Sequence, residues 1–185
     1  MQLTFRSATN QDRDHVKALV FGVLAEYGLK PDPNGTDSDL HDIERSYVAN
    51  GGIFDVLVDQ AGRVVGSVAL FPISRSTCEL RKMYLVAPAR GLGFGRRLLE
   101  HALGRARGLG FTRVVLETAC VLREAVALYE RYGFCRYTPD HMAARCDAAY
   151  FLDLSSVQRA QPIAPPNGGP ATQPGNSGVT EGRHR

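Results

Sequence analysis

The stretch RGLGFGRR, Arg90 to Arg97, sets glycines at positions 91, 93 and 95 among three arginines. The strand-like run CELRKMYLV lies just before it. After it, Phe94, Leu98, Leu99, Ala102, Leu103 and Ala106 recur at the spacing of one helical face. A turn of this kind commits the chain to a strand, a tight reversal and a helix in immediate succession. Amides at a helix start lack intrahelical partners and carry the positive end of the dipole. Together they form an anion site. Glycines remove the side chains that would hold a diphosphate away, and Arg90 and Arg96 can add charge-assisted bonds. On the turn alone two readings stay open: a pyrophosphate cradle, or merely a tight strand-to-helix connection. A P-loop is excluded, since no Lys-Ser or Lys-Thr follows the glycines. The dinucleotide pattern G-x-G-x-x-G also fails, because its third glycine would fall on Arg96 or Leu98.

The flanking chain predicts a mixed α/β domain. LTFRSAT reads as a short strand, and Val16, Leu19, Val20, Val23 and Leu24 form one face of a helix that follows Asp12 and Asp14. KPDPNGTDSD is a turn-rich loop, after which Ser38 or Asp39 caps a second helix, LHDIERSYVAN. IFDVLVD and RVVGSVALF are strands joined by QAG, and CELRKMYLV extends the set. After the glycine turn and its helix come a buried strand RVVLET, a helix REAVALYERYG stopped by Gly133, and the strands FCRYT and AAYFLDL. The one strand–helix–strand crossover makes its two strands, 78–86 and 113–118, parallel. With an early antiparallel run before it, that implies a mixed sheet with helices on both faces.

The chain has 185 residues, enough for one domain with a sizeable core. No apolar run approaches the ~20 residues of a membrane span, and MQLTFRSATNQDRD has no apolar stretch after a basic start. The expectation is therefore a cytoplasmic protein that engages no membrane. Up to Asp153 there are 19 basic and 18 acidic residues, without the basic excess of a nucleic-acid binder. The cysteines, Cys78, Cys120, Cys135 and Cys146, form no C-x-x-C pair, so no metal site is expected. They read as reduced and mostly buried. Past Ser155 the composition turns to proline and glycine without tyrosine or phenylalanine. The domain is thus placed at 1–155 and a disordered tail at 156–185.

With these elements in order, the sequence resembles the GNAT superfamily of acetyl-CoA-dependent N-acetyltransferases. Arg90, Gly93 and Gly95 match its [RQ]-x-x-G-x-[GA] motif between strand and helix. Ala125, Leu128, Tyr129, Gly133 and Phe134 match a second, A-x-x-L-Y-x-x-x-G-F. CELRKMY, LET and RCDAAYFLDL look like a group of small bacterial amine acetyltransferases. The resemblance implies a mostly antiparallel sheet with a splayed parallel pair. It implies acetyl-CoA as co-substrate, its pantetheine arm along Met83, Tyr84 and Leu85, and its diphosphate on the amides of Gly91, Leu92, Gly93, Phe94, Gly95 and Arg96. Many relatives carry an asparagine three residues before the motif alanine; Leu122 stands there, so that contact is not carried over.

Acetyl transfer needs a proton taken from the ammonium and one given to the departing thiolate. Tyr129 is the family match for the acid. Its alternative reading is a core tyrosine, and Tyr132 is the nearby competitor. For the base, the resemblance leaves Glu79, Glu117 or an ordered water. Glu79 alternatively forms an ion pair with Arg81. The acids Asp32, Asp37, Asp39, Asp42 and Glu44 lie where the family places an overhang above the acceptor pocket. They are read as a solvated loop with helix caps rather than as an attractor of cations. Arg145 and Asp147 either line that pocket or pair with each other. The implied function is transfer to a primary amine of a small molecule or amino acid. The alternatives are a protein N-terminal or lysine acetyltransferase and a non-catalytic acyl-CoA-binding sensor. The assembly is left open, a homodimer included.

Overall fold

A computed structural model describes residues 2–154. The tail expected beyond the domain lies outside the described residues. The strands are β1 (Thr4–Ser7), β2 (Ile53–Val58), β3 (Val64–Pro72), β4 (Thr77–Leu85), β5 (Arg113–Thr118), β6 (Cys135–Tyr137) and β7 (Ala148–Asp153). The helices are α1 (Arg13–Glu26), α2 (Phe94–Gly108) and α3 (Arg123–Arg131). The strands form one sheet in the order β1-β2-β3-β4-β5-β7-β6. Every neighbouring pair is antiparallel except β4 and β5.

Both faces of the sheet are covered. The stripe of α2 read from the sequence, Phe94 to Ala106, packs on one face with Leu128 and Tyr129 of α3. Val16, Val20 and Leu24 of α1 pack on the other with Leu40, Ile43 and Tyr47. Central strand β2 feeds both cores, which is why IFDVLV is apolar almost throughout rather than alternating. Its one acid, Asp55, is buried but accepts from Ser7 Oγ at 3.0 Å and lies 2.7 Å from His101 Nε2.

Three expectations need correction. The helix predicted over LHDIERSYVAN is broken into a 3-10 turn, Ser38–His41, and a π-helical turn, Glu44–Val48. Asp42 interrupts it by taking the Arg45 amide at 3.0 Å and Asn10 Nδ2 at 2.9 Å, a local alternative to helix. Neither Ser38 nor Asp39 caps: Ser38 Oγ donates to the Gly35 carbonyl at 2.7 Å, and Asp39 accepts from Tyr47. Strand β5 is buried on one face only. Of the four cysteines, all free, only Cys78 is buried; Cys120 and Cys135 are exposed and Cys146 lies between.

The feature that creates a site is the brevity of the parallel pairing. Thr77, Cys78 and Glu79 pair with Arg113, Val114 and Val115, and there the ladder stops. Strand β4 continues to Leu85 beside β3, while β5 continues to Thr118 beside β7, so the two diverge. A bulge opposite Ser67–Ala69 turns β4 at this point, and Lys82 takes a positive φ of 50°. Ser67 Oγ donates to the Lys82 carbonyl at 2.7 Å and holds the irregularity closed.

Candidate active site

Two cavities open on either side of the divergence and share Met83, Tyr84, Leu122 and Ala125 as a common wall. The second, of about 360 Å³, lies at the glycine turn between the ends of α1 and α3. Of the residues expected to hold a cofactor, Met83, Tyr84, Leu85, Arg90, Gly91 and Gly95 line it. The others enter differently. The Phe94 ring is in the core, Leu92 is 61% exposed, and the Arg96 guanidinium turns along the helix to Glu100 at 2.9 Å. What Leu92, Gly93, Phe94 and Arg96 offer is backbone.

That backbone is unsatisfied. Among the described residues, the amides of Gly91, Leu92, Gly93, Phe94, Gly95 and Arg96 have no hydrogen-bond acceptor. The series ends at Arg97, whose amide donates to the Gly93 carbonyl at 3.1 Å. Gly91 and Gly93 have φ of 73° and 81°, which is what curls the turn so tightly. Arg90 donates through Nε to the Leu85 carbonyl at 2.9 Å and through Nη1 to Glu26 at 2.6 Å. Its Nη2 is buried and has no partner. Six free amides at a helix start and an orphaned guanidinium nitrogen fit a diphosphate-bearing ligand such as acetyl-CoA.

The first cavity, of about 410 Å³, lies beyond the divergence. Glu79, Glu117 and Tyr129, from three different elements, all line it. Glu79 accepts from Arg81 Nε at 2.7 Å, the ion pair that the sequence offered as its alternative. Glu117 accepts the Ala143 amide through Oε2 at 2.8 Å and has no cationic partner among the described residues. Tyr129 is 6% exposed, with its ring 5.6 Å from Phe134. Its hydroxyl makes no hydrogen bond among the described residues. Burial, and secondarily the nearby Tyr84, push it well above an ordinary tyrosine, so it keeps its proton throughout the working range. Tyr132 faces elsewhere and donates to Glu100 Oε1 at 2.6 Å.

The acidic loop is solvated at Asp32 and Glu44, but not at Asp37. Asp37 is fully buried and accepts from Lys82 Nζ at 2.6 Å, Arg145 Nη1 at 2.6 Å, Arg145 Nη2 at 2.7 Å and the Asp32 amide at 2.9 Å. Lys82 also donates to the Thr36 carbonyl at 3.1 Å, and its ammonium lies 3.1 Å from Asp39 Oδ1. The partner of Arg145 is thus Asp37, while Asp147 holds the Cys120 amide at 2.6 Å. Asp32 closes its own turn on Gly35 and Thr36, and Glu44 takes the Asn10 amide. These bonds tie the 35–39 segment and the 141–146 segment, two walls of the cavity, to the bulge of β4.

Lys82 was missed in the sequence, yet a signal was present. In CELRKMY it has the parity of buried Cys78 and Leu80, and a lysine on a core face implies a buried partner. Which acid that is cannot be read 45 residues away. His141 and Met142, also in the cavity wall, sit in a loop with no motif.

The buried cluster makes an acid-stability prediction. Burial alone would raise the Asp37 carboxyl, but Arg145, the Asp32 amide and Lys82 outweigh it and pull it down to about 2. A depressed carboxylate stabilises the fold above its unfolded value of 3.8 and loses that contribution as pH falls towards 2. The contribution is about 2 kcal/mol at neutral pH. Urea unfolding should therefore show stability falling between about pH 4 and pH 2. Asp37→Asn should already be destabilised at pH 7, by about 3–5 kcal/mol, because two buried cations lose their counterion. Stability unchanged at pH 7 in that variant would show the cluster to be energetically idle.

Comparison with known proteins gives a consistent result. Residues 22–134 match the model of a family described as the acetyltransferase (GNAT) family. An uncharacterized N-acetyltransferase of Escherichia coli K12, YjgM, is 39% identical over 134 residues, which is 70% of this chain and 80% of that protein. Among solved structures, a GNAT-family acetyltransferase of Staphylococcus aureus Mu50 superposes with a TM-score of 0.77 at 19% identity, over 83% of this chain and 99% of its own. A spermidine N-acetyltransferase of Vibrio cholerae, solved with CoA and spermine, gives a TM-score of 0.64 at 21% identity, over 83% and 96%. At these identities the two structures establish the fold alone.

Proposed function

This chain belongs to the GNAT family of acetyltransferases, and from that premise we propose that it transfers the acetyl group of acetyl-CoA to the primary amine of a small molecule. The observation that carries the proposal is the run of six unpaired amides, Gly91 to Arg96, opening beside a cavity that contains Glu117 and Tyr129. The Vibrio cholerae neighbour, solved with CoA and spermine, supports the same division of the fold between a cofactor and an amine.

The chain's own residues divide the work. Bound acetyl-CoA supplies an acyl carbon and a sulfur leaving group. The amides of Gly91–Arg96 and the free Arg90 nitrogen hold its diphosphate, and Met83, Tyr84 and Leu85 border its arm. Glu117 accepts a proton from the acceptor's ammonium. Each candidate carboxylate keeps one oxygen unbonded, but Glu117 has no ion pair, whereas Glu79 is tied to Arg81. The amine nitrogen then bonds to the acyl carbon and the carbon–sulfur bond breaks. Tyr129 gives the sulfur its proton and is reprotonated by the one the nitrogen sheds. The balance is ammonium plus thioester giving amide, thiol and one proton, which leaves through Glu117.

Incubating the protein with acetyl-CoA and primary amines should release thiol and acetylated amine in equal amounts. Tight acetyl-CoA binding with no thiol release from any amine would instead identify an acyl-CoA sensor. Release only with peptides would move the acceptor to protein.

A further inference from the structure

Resting on that reading, we infer that the acceptor is a monocation: a primary amine whose remaining atoms are uncharged, received by Glu117. The inference comes from how the charges around the first cavity are already spent. Beside the His141 imidazole, four acids and three Lys or Arg cations stand at or just behind its wall: Asp37, Asp39, Glu79 and Glu117 against Arg81, Lys82 and Arg145.

Six of these seven neutralise one another. Asp37 pairs with Lys82 and Arg145, the same Lys82 ammonium lies 3.1 Å from the buried Asp39 Oδ1, and Asp37 is fully buried, out of reach of any ligand. Glu79 is bound to Arg81, whose guanidinium also lies over the Phe71 ring at 4.2 Å from its centroid. The acids that in the sequence looked able to attract cations are therefore occupied. Of these four acids, Glu117 alone has no cationic partner among the described residues, with one oxygen on the Ala143 amide and the other available.

An acceptor complementary to this cavity brings one positive charge and nothing else ionised. A second ammonium inside the cavity would find only acids already bound to Lys82 or Arg81. An amino acid is matched worse. Its carboxylate sits two bonds from its ammonium, so it would be held against Glu117, and the cations that might offset it are committed to Asp37 and Glu79. A polar group buried without its partner commonly costs tenfold or more in affinity. The plain alkyl or aryl part fits the rest of the wall, where Leu24, Leu29, Leu122, Met142 and Ala143 stand.

The test is steady-state thiol release at saturating acetyl-CoA with three sets of acceptors: alkyl and arylalkyl monoamines such as phenethylamine, polyamines such as spermidine, and free amino acids such as phenylalanine and glutamate. The monoamines should exceed both other sets in kcat/KM by roughly tenfold or more. Glu117→Gln should lower kcat/KM for monoamines by roughly a hundredfold or more while leaving the acetyl-CoA Kd unchanged, and Glu117→Asp should recover part of it. Spermidine or an amino acid as the fastest acceptor would overturn the monocation assignment and leave the acetyltransferase reading intact. So would Glu117→Gln with wild-type kinetics. Acetyl-CoA binding without turnover of any amine would overturn the reading on which the inference rests, and the inference with it.

Discussion

Tyr129→Phe should lower kcat by roughly 10²- to 10⁴-fold, the usual contribution of a positioned general acid. The free thiol of a cysteine-type group has a pKa of about 8.5, so its anion is a moderate leaving group in water. In a cavity with little water it is less well solvated, and a donor is worth more. Tyr129 suits that task because burial keeps it protonated and because its hydroxyl is not spent on another group among the described residues. The same fact makes the variant clean. Removing the hydroxyl orphans no partner, and phenylalanine preserves the packing on Phe134, so stability should stay within about 1 kcal/mol. The acetyl-CoA Kd should also be nearly unchanged. Tyr132→Phe breaks only an exposed hydrogen bond to Glu100 and should be almost silent in kcat. Wild-type turnover by Tyr129→Phe would pass the acid role to water; a large loss of stability would make the residue a core tyrosine.

What was legible in the sequence was what repeats at short range. The apolar stripes of α1 and α2 were read residue by residue, because burial of one helical face imposes the 3.6 period. The parallel pairing of β4 with β5 followed from a single crossover helix. The motif residues of the glycine turn needed only spacing, and Gly93 and Gly133 do take the positive φ that such positions demand. The break at Asp42 was not legible, since it depends on whether a carboxylate chooses the Arg45 amide and Asn10 over continuing helix. Strand β5 looked buried on both sides because it is apolar; its second face borders the gap that the divergence opens.

The acceptor side was the least legible because its chemistry is set by long-range pairing. Lys82 and Arg145 lie 45 and 108 positions from Asp37, and no local pattern couples them. Read singly, Asp37 looks solvated and Arg145 looks like a pocket residue or a partner of Asp147. Only together with Asp39 do they become a neutral knot, and only then does Glu117 stand out as the carboxylate left over.

The proposed diphosphate cradle at the glycine turn is tested most directly by Gly95→Val. Gly91 and Gly93 are unsuitable for this purpose, because their positive φ would strain any side chain whatever the space. Gly95 lies in the first turn of α2 and has no such φ. A β-carbon there meets Leu128 and Leu85 side-chain carbons at 3.8 Å, ordinary contact, so the fold should accept it. Valine is no worse than glycine in a helix, and melting should hold within a few degrees. Its γ-methyls, however, would add bulk at a cavity-lining position beside the amides proposed to bind the diphosphate. Losing several charge-assisted bonds should weaken acetyl-CoA by roughly a hundredfold or more. Calorimetric titration of acetyl-CoA into the wild type and into folded Gly95→Val is the decisive measurement. The account predicts a well-defined Kd for the first and at least that hundredfold weakening for the second; equal affinities would show that the six free amides do not hold the cofactor.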